Sequence, residues 1–157
     1  DVYGLRLMGF RYFNIFGPRQ DPDGPYAAVI PLFVKGIMNE VPVYINGDGE
    51  QTRDFTYVDN AVQVNVAGML TQNEMAFTKV YNVAVGERCS VNALYEACQQ
   101  QLKSSWAPVY REPRAGDIRD SLADISLAAR ELGYQPSQKF AAGLEQTIQY
   151  FKEIYSS

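Results

Sequence analysis

Histidine is absent from all 157 residues. With it go the commonest general base, the commonest metal ligand and every Ser-His or Cys-His nucleophile. Cysteine is scarce. Cys89 and Cys98 stand nine positions apart, without metal-ligand spacing. They are expected to pack as small hydrophobes in a reducing compartment rather than to form a bridge. No apolar run approaches the ~20 residues that span a bilayer. Asp1-Val2-Tyr3-Gly4 has neither the basic nor the apolar region of a signal peptide. A cytoplasmic location is therefore expected. The chain does not open on Met, which suggests an excised or trimmed segment, or removal of a tag. A net charge of −4 argues against a general nucleic-acid or anionic-membrane surface.

Catalytic signatures are equally sparse. No Gly-x-Gly-x-x-Gly or Gly-x-x-Gly-x-x-Gly turn follows a strand, so no dinucleotide phosphate site is visible, and there is no P-loop. None of the eleven tyrosines is followed four positions later by lysine, the spacing of a Tyr-Lys proton-transfer pair. What is present is an ordinary globular composition, 46% hydrophobic and 20% charged. A domain of this length buries about two-thirds of its unfolded surface.

The pattern alternates strands with helices, which predicts an α/β arrangement. Leu5 to Phe16 reads as one strand, apolar enough to be buried on both faces. Residues 18–26 are a long loop dense in Pro, Asp and Gly, and long loops in compact domains tend to be functional. A helix is expected from Ala27 to Asn39, with Pro31 tolerated in its first turn. Short strands are expected at 43–45 and 52–57, flanking the turn Gly47-Asp48-Gly49. Asp59 is placed to cap a helix reaching Leu70, with Val62, Val66, Met69 and Leu70 near one face. Further strands are expected at 79–85 and 108–112. Helices are expected at 91–102, capped by Ser90, at 126–132, stopped by Gly133, and at 141–155.

Anion-binding features stand out against this background. Arg53 leaves the Gly47 turn, and Arg114 lies in Arg111-Glu112-Pro113-Arg114-Ala115-Gly116-Asp117, where Gly116 permits close backbone approach. Two converging guanidinium forks suit a diphosphate. The alternative is local pairing with Asp54 or Asp117. Asn14 lies near the carboxyl end of a strand, where ligands bind in open α/β sheets, or it simply forms an Asx turn into Gly17-Pro18. Tyr44 and Asn46 alternate with Ile45 and share a face. They could offer an aromatic edge and an amide to a base, or be plain edge-strand surface.

In order and spacing, five stretches resemble the extended short-chain dehydrogenase/reductase family of nucleotide-sugar epimerases and dehydratases. They are Gly9 to Pro22, Ala27-Ala28-Val29-Ile30-Pro31, Gly47 to Asp59, Tyr81 to Gly86 and Arg114 to Arg119. Within that family, Arg11-Tyr12-Phe13-Asn14, Gln20-Asp21-Pro22 and Tyr26-Ala27-Ala28-Val29-Ile30-Pro31 look most like UDP-N-acetylglucosamine/N-acetylgalactosamine 4-epimerases. The resemblance implies a fold: the C-terminal substrate-binding half of such an enzyme, residues 1–157. It would include a late Rossmann-sheet strand and lack the N-terminal NAD-binding core. It also implies roles. Asn14 would bond the diphosphate-sugar region. Ala28, Val29, Tyr44, Asn46 and Val91 would surround the nucleoside. Arg53 and Arg114 would clamp the diphosphate, and Asp117 would accept from the ribose. The UDP-sugar and the missing half are the implied partners, with NAD held by that half and self-association favoured by the orphaned strand. The chain would be inactive alone. A free-standing nucleotide-sugar-binding or assembly module and part of a dehydratase are the alternatives.

Overall fold

The computed structural model describes residues 3–23 and 28–155. Gly24 to Ala27, and with them the end of the long loop and the expected helix start, lie outside the described residues.

The expected strand from Leu5 is two strands, and it is not buried on both faces. β1 (Met8–Tyr12) pairs in parallel with β6 (Lys79–Val83), and β2 (Ile15–Phe16) pairs in parallel with β5 (Thr56–Tyr57). Asn14 makes the switch. Its φ of 36° lies in the left-handed region that Asn tolerates better than most residues. Phe13 N still donates to Val83 O at 3.0 Å, whereas Asn14 O accepts from Thr56 N at 3.2 Å. One residue thus hands the chain from one strand pair to the other. Ahead of it, Leu5 and Leu7 are 64% and 61% exposed because β1 has a strand on one edge only among the described residues.

The expected strand over 52–57 also divides. β4 (Thr52–Arg53) pairs antiparallel with β7 (Cys89–Ser90), and the chain then turns into β5. β3 (Tyr44–Asn46) pairs in parallel with β8 (Val109–Arg111), with Asn46 opposite Arg111.

The helices fall close to expectation. α1 (Val29–Met38) buries Ile30, Phe33, Val34 and Ile37, with Pro31 in its first turn. α3 (Val91–Leu102) is capped by Ser90, whose Oγ accepts from Ala93 N at 3.1 Å. α4 (Ser126–Leu132) stops at Gly133 with φ 65°, and α5 (Phe140–Tyr155) buries Leu144, Ile148 and Phe151. α2 (Val58–Leu70) departs in two ways. Its N-cap is Tyr57, without a side-chain bond, and Asp59 sits in the first turn, where its charge favours the helix dipole. Its apolar stripe also faces outward: Val62, Met69 and Leu70 are 54%, 76% and 71% exposed, while Asn60, Ala61 and Val64 point inward.

Two hydrophobic clusters result. The larger joins α1, α3 and α5 around Phe16, Ile45, Phe55 and Tyr57. The smaller lies between α2, α4 and β6, around Val64, Tyr81, Val83, Leu132 and Tyr134. Cys98 is fully buried in the first, with Cys89 packed against it, and both thiols are free. Burial pushes Cys98 up to about 12 and Cys89 up to about 11.

Candidate nucleotide-binding site

The larger cluster opens on one side into a cavity of about 290 Å³. Phe33, Ile45, Phe55 and Val91 supply apolar wall, and the start of α1 brings Ala28 and Val29 to it. Asn14, Tyr44, Asn46, Gln51, Arg53 and Asp117 bring the polar groups. A mostly apolar concavity with a few convergent polar groups is the usual make-up of a small-molecule site.

Each polar group has a visible reason for its position. Asn14 is set by the kink between β1 and β2, and its Nδ2 donates to Asp54 O at 3.1 Å. Asp54 is fully buried and does not pair with Arg53. Its carboxylate instead accepts from Val85 N at 3.1 Å, Gly86 N at 3.0 Å and Ala123 N at 3.4 Å. That arrangement ties the Arg53 segment to the end of β6 and to the chain beyond Asp120.

The segment carrying Asp117 is stitched alongside β4. Thr52 N donates to Arg119 O at 2.8 Å, Ser121 N donates to Thr52 O at 3.2 Å, and the Thr52 hydroxyl meets Asp120 at 2.8 Å. Arg53 spans the gap: Nη1 donates to Thr52 O at 2.7 Å and Ile118 O at 2.6 Å, and Nη2 pairs with Asp117. The sequence suggested local pairing of each Arg with the acid beside it, whereas Arg53 pairs with Asp117, 64 positions away.

The turn ahead of β4 is closed from α3. Asn92 Nδ2 donates to Asp48 O at 2.9 Å and to Glu50 Oε1 at 2.6 Å. Gly49 has φ 76°, and a Cβ there would lie 1.9 Å from Asn92 Oδ1, so the turn requires glycine. The Asp48 carboxyl is held below its ordinary value by the Glu50 backbone N–H and then by Arg119 at 2.8 Å. Gln51 Nε2 donates to Asn46 O at 2.9 Å, fixing the end of β3 against the turn.

Of the nine residues singled out in the sequence, Asn14, Ala28, Val29, Tyr44, Asn46, Arg53, Val91 and Asp117 line this cavity. Arg114 does not. It lines two adjoining recesses, one shared with Asn46 and Asp117, the other with Tyr44 and Val29. The expected pair of arginines is therefore divided between the cavity and its neighbouring recesses. Phe33, Ile45, Gln51 and Phe55 also line the cavity without having been singled out. Arg111 was overlooked as well: its guanidinium lies 5.0 Å from the Tyr44 ring centroid, and its Nε donates to Asn46 Oδ1 at 2.6 Å. Only the β3–β8 register could have revealed it, since the two residues are 65 positions apart.

Comparison with known proteins places this geometry. A profile described as the NAD dependent epimerase/dehydratase family matches residues 1–84. The UDP-N-acetylglucosamine 4-epimerase of Methanobrevibacter ruminantium M1, solved with UDP-N-acetylmuramic acid, is 40% identical with a TM-score of 0.89, over 97% of this chain and 48% of that one. The UDP-glucose 4-epimerase of Thermotoga maritima, solved with UDP-glucose, is 36% identical with a TM-score of 0.91, over 98% and 48%. A putative UDP-glucose 4-epimerase of Methanocaldococcus jannaschii is 33% identical over 96% of this chain and 47% of its own length. The chain thus spans about half the length of the relatives it matches.

Proposed function

The chain belongs to the NAD-dependent epimerase/dehydratase family, and from that premise we propose that it is the UDP-sugar-binding part of a UDP-N-acetylhexosamine 4-epimerase. The observation that carries this reading is the single cavity in which Asn14, Arg53 and Asp117 meet an apolar slot between α1, β3 and α3. The 40% identity to a UDP-N-acetylglucosamine 4-epimerase supports the choice of sugar.

The nucleoside enters the slot between Val29, Tyr44, Asn46 and Val91. Arg53 turns from Asp117 to the diphosphate, and Asp117 is released to accept from the ribose hydroxyls. Each such exchange replaces one charge-assisted bond with another of about 1.5–3 kcal/mol, so the pair stays satisfied with or without nucleotide. Arg114 approaches the phosphates from the adjoining recess, and Asn14 presents its side-chain oxygen toward the sugar side. Holding the UDP handle in this way orients the reacting hexose, and binding energy far from the reacting centre is used for positioning.

Among the described residues, neither β1 nor β6 is followed by a glycine-rich turn of the kind that cradles a dinucleotide phosphate. NAD, which supplies reversible hydride abstraction to this family, belongs with a separate cofactor-binding half. The open edge of β1 and the outward stripe of α2 are where that half docks. An exposed apolar stripe of this kind also favours self-association when nothing covers it. Titrating the purified chain with UDP-N-acetylglucosamine up to millimolar concentration tests the reading. Saturable binding is expected, weakened at least tenfold by Arg53→Ala, with no epimerisation by the chain alone. Absence of saturable binding, or turnover by the chain alone, would overturn it.

A further inference from the structure

Residues 111–120, which lead away from β8, are all exposed, and even Ile118 is 64% exposed. Burial therefore contributes little to holding this stretch, and polar contacts fasten it. At its start Arg111 O accepts from Gly47 N at 2.8 Å, and near its end Arg119 O accepts from Thr52 N at 2.8 Å. Between them, Arg53 holds Asp117 and Ile118 O. Gly116 has φ 79°, and a Cβ there would meet nothing within 4 Å. Glycine at that position answers a left-handed backbone, not a close approach. The stretch is a strap that separates two hollows. Asp117 lines both the 290 Å³ cavity and an adjoining recess of about 550 Å³, which Glu112, Ile118 and Arg119 also wall. Small-molecule pockets run to about 300–1,000 Å³, so with the strap in place the cavity is at the lower limit for a nucleotide.

Both ends of the strap depend on one side chain at the start of α3. The Tyr110 hydroxyl, just ahead of the strap, donates to Asn92 Oδ1 at 3.0 Å. Asn92 Nδ2 donates to Asp48 O and Glu50 Oε1, groups that only accept, which fixes the orientation of the amide. The Asp48 carboxylate then takes Arg119 Nη1 at 2.8 and 2.9 Å, at the far end of the strap. Resting on the nucleotide reading above, we propose that residues 112–119 form a gate that swings out for a nucleotide to enter or leave. The Asp48–Arg119 pair is its latch, and Asn92 is the positioning residue that seats both the latch and the β8 end. Thr52 keeps Asp120 and Ser121 in place beyond the latch. Opening moves the Asp117 partition aside and joins the two hollows. Once Arg53 turns to the diphosphate, Asp117 and Ile118 O lose its grip, and the latch becomes the contact that keeps the strap shut over the ligand.

NMR line-shape analysis of a UDP titration, which yields association and dissociation rates separately, tests the inference on the intact chain. Asp48→Asn and Arg119→Gln each break the latch, and each is expected to raise both rates about two- to fivefold, the scale of an exposed ion pair. Affinity should change less than either rate, because the same barrier is lowered in both directions. The two substitutions alter net charge in opposite senses, so electrostatic steering alone would move their association rates apart. The double variant should add nothing further, since both changes remove one contact. Asn92→Ala frees both ends and should raise the rates about tenfold. Circular dichroism confirms that each variant folds, and the two latch variants carry the test if Asn92→Ala does not. UDP binding with rates unchanged in both latch variants, or with association rates moving apart, defeats the gate alone. A wild-type chain that binds no UDP defeats the nucleotide-site reading itself.

Discussion

The two hydrophobic clusters of this chain are built from similar residues and finished to different degrees. Around the cavity, α1, α3 and α5 close on one another, and Val34, Leu94, Cys98 and Leu144 have no exposed surface. In the other region β6 and Tyr81 are equally well covered on one side. There, however, α2 turns Val62, Val66, Met69 and Leu70 to the outside, and β1 keeps an unpaired edge among the described residues. The first region has the inward-facing apolar surface of a completed core. The second has one completed face and one that leaves apolar side chains exposed. A ligand site needs the rigidity of the first, and a docking surface needs the openness of the second.

The joint between them is the place to break this comparison most severely. Asp54 is a buried carboxylate satisfied by three backbone N–H groups from two separate segments. Asp54→Ala strands those donors and should cost about 4 kcal/mol of stability in denaturant unfolding. It should also loosen Arg53, its neighbour in sequence. A loss below about 1 kcal/mol would mean that water replaces the carboxylate and that the joint is not where the regions are held.

A paired truncation sharpens the contrast. Leu144→Ala in the closed region should cost about 3 kcal/mol. Met69→Ala on the open stripe removes a comparable apolar side chain but should cost less than about 0.5 kcal/mol. Met69→Ala should also reduce any concentration-dependent association seen by sedimentation velocity. Equal losses at both positions would show that α2 is covered in solution by something other than solvent.

A contrast of another kind is in pH. The folded values of Cys98 and Cys89, about 12 and about 11, exceed the ordinary thiol value of about 8.5. A raised folded value gives a contribution that is complete below the unfolded value and lost as pH rises toward the folded one. Between about pH 9 and 11, the deeply buried Cys98 thiol should therefore remove up to about 1.4 kcal/mol per pH unit, and the half-buried Cys89 less because solvent screens it. Comparison of the chain with its Cys98→Ala variant isolates that slope, which should flatten in the variant.

Much of this was legible in the sequence, and the parts that were not have physical reasons. Helix periodicity placed α1, α3, α4 and α5 within a few residues, since one face of each is covered by this chain itself. It failed for the direction of α2, because an apolar stripe carries no label saying whether its cover lies within the same chain. The strand over 5–16 ran through Asn14 because hydrophobic pattern does not register a left-handed φ. Asp59 gave a cap signal two residues too late, since Tyr57 ends β5 and starts α2 without a side-chain bond. At the cavity, residues on one strand or one turn, such as Tyr44, Asn46 and Arg53, could be suspected locally. Arg111, Gln51 and Phe55 could not, because their positions depend on strand pairings and on the Asp54 joint.

The most direct test of the two-region account is a residue-resolved NMR titration of the chain with UDP. Amide shifts should concentrate at Val29, Asn46, Arg53, Val91 and Asp117, with Val64, Val80 and Leu132 unmoved. Shifts centred on β1 and α2, or none at millimolar UDP, would contradict it.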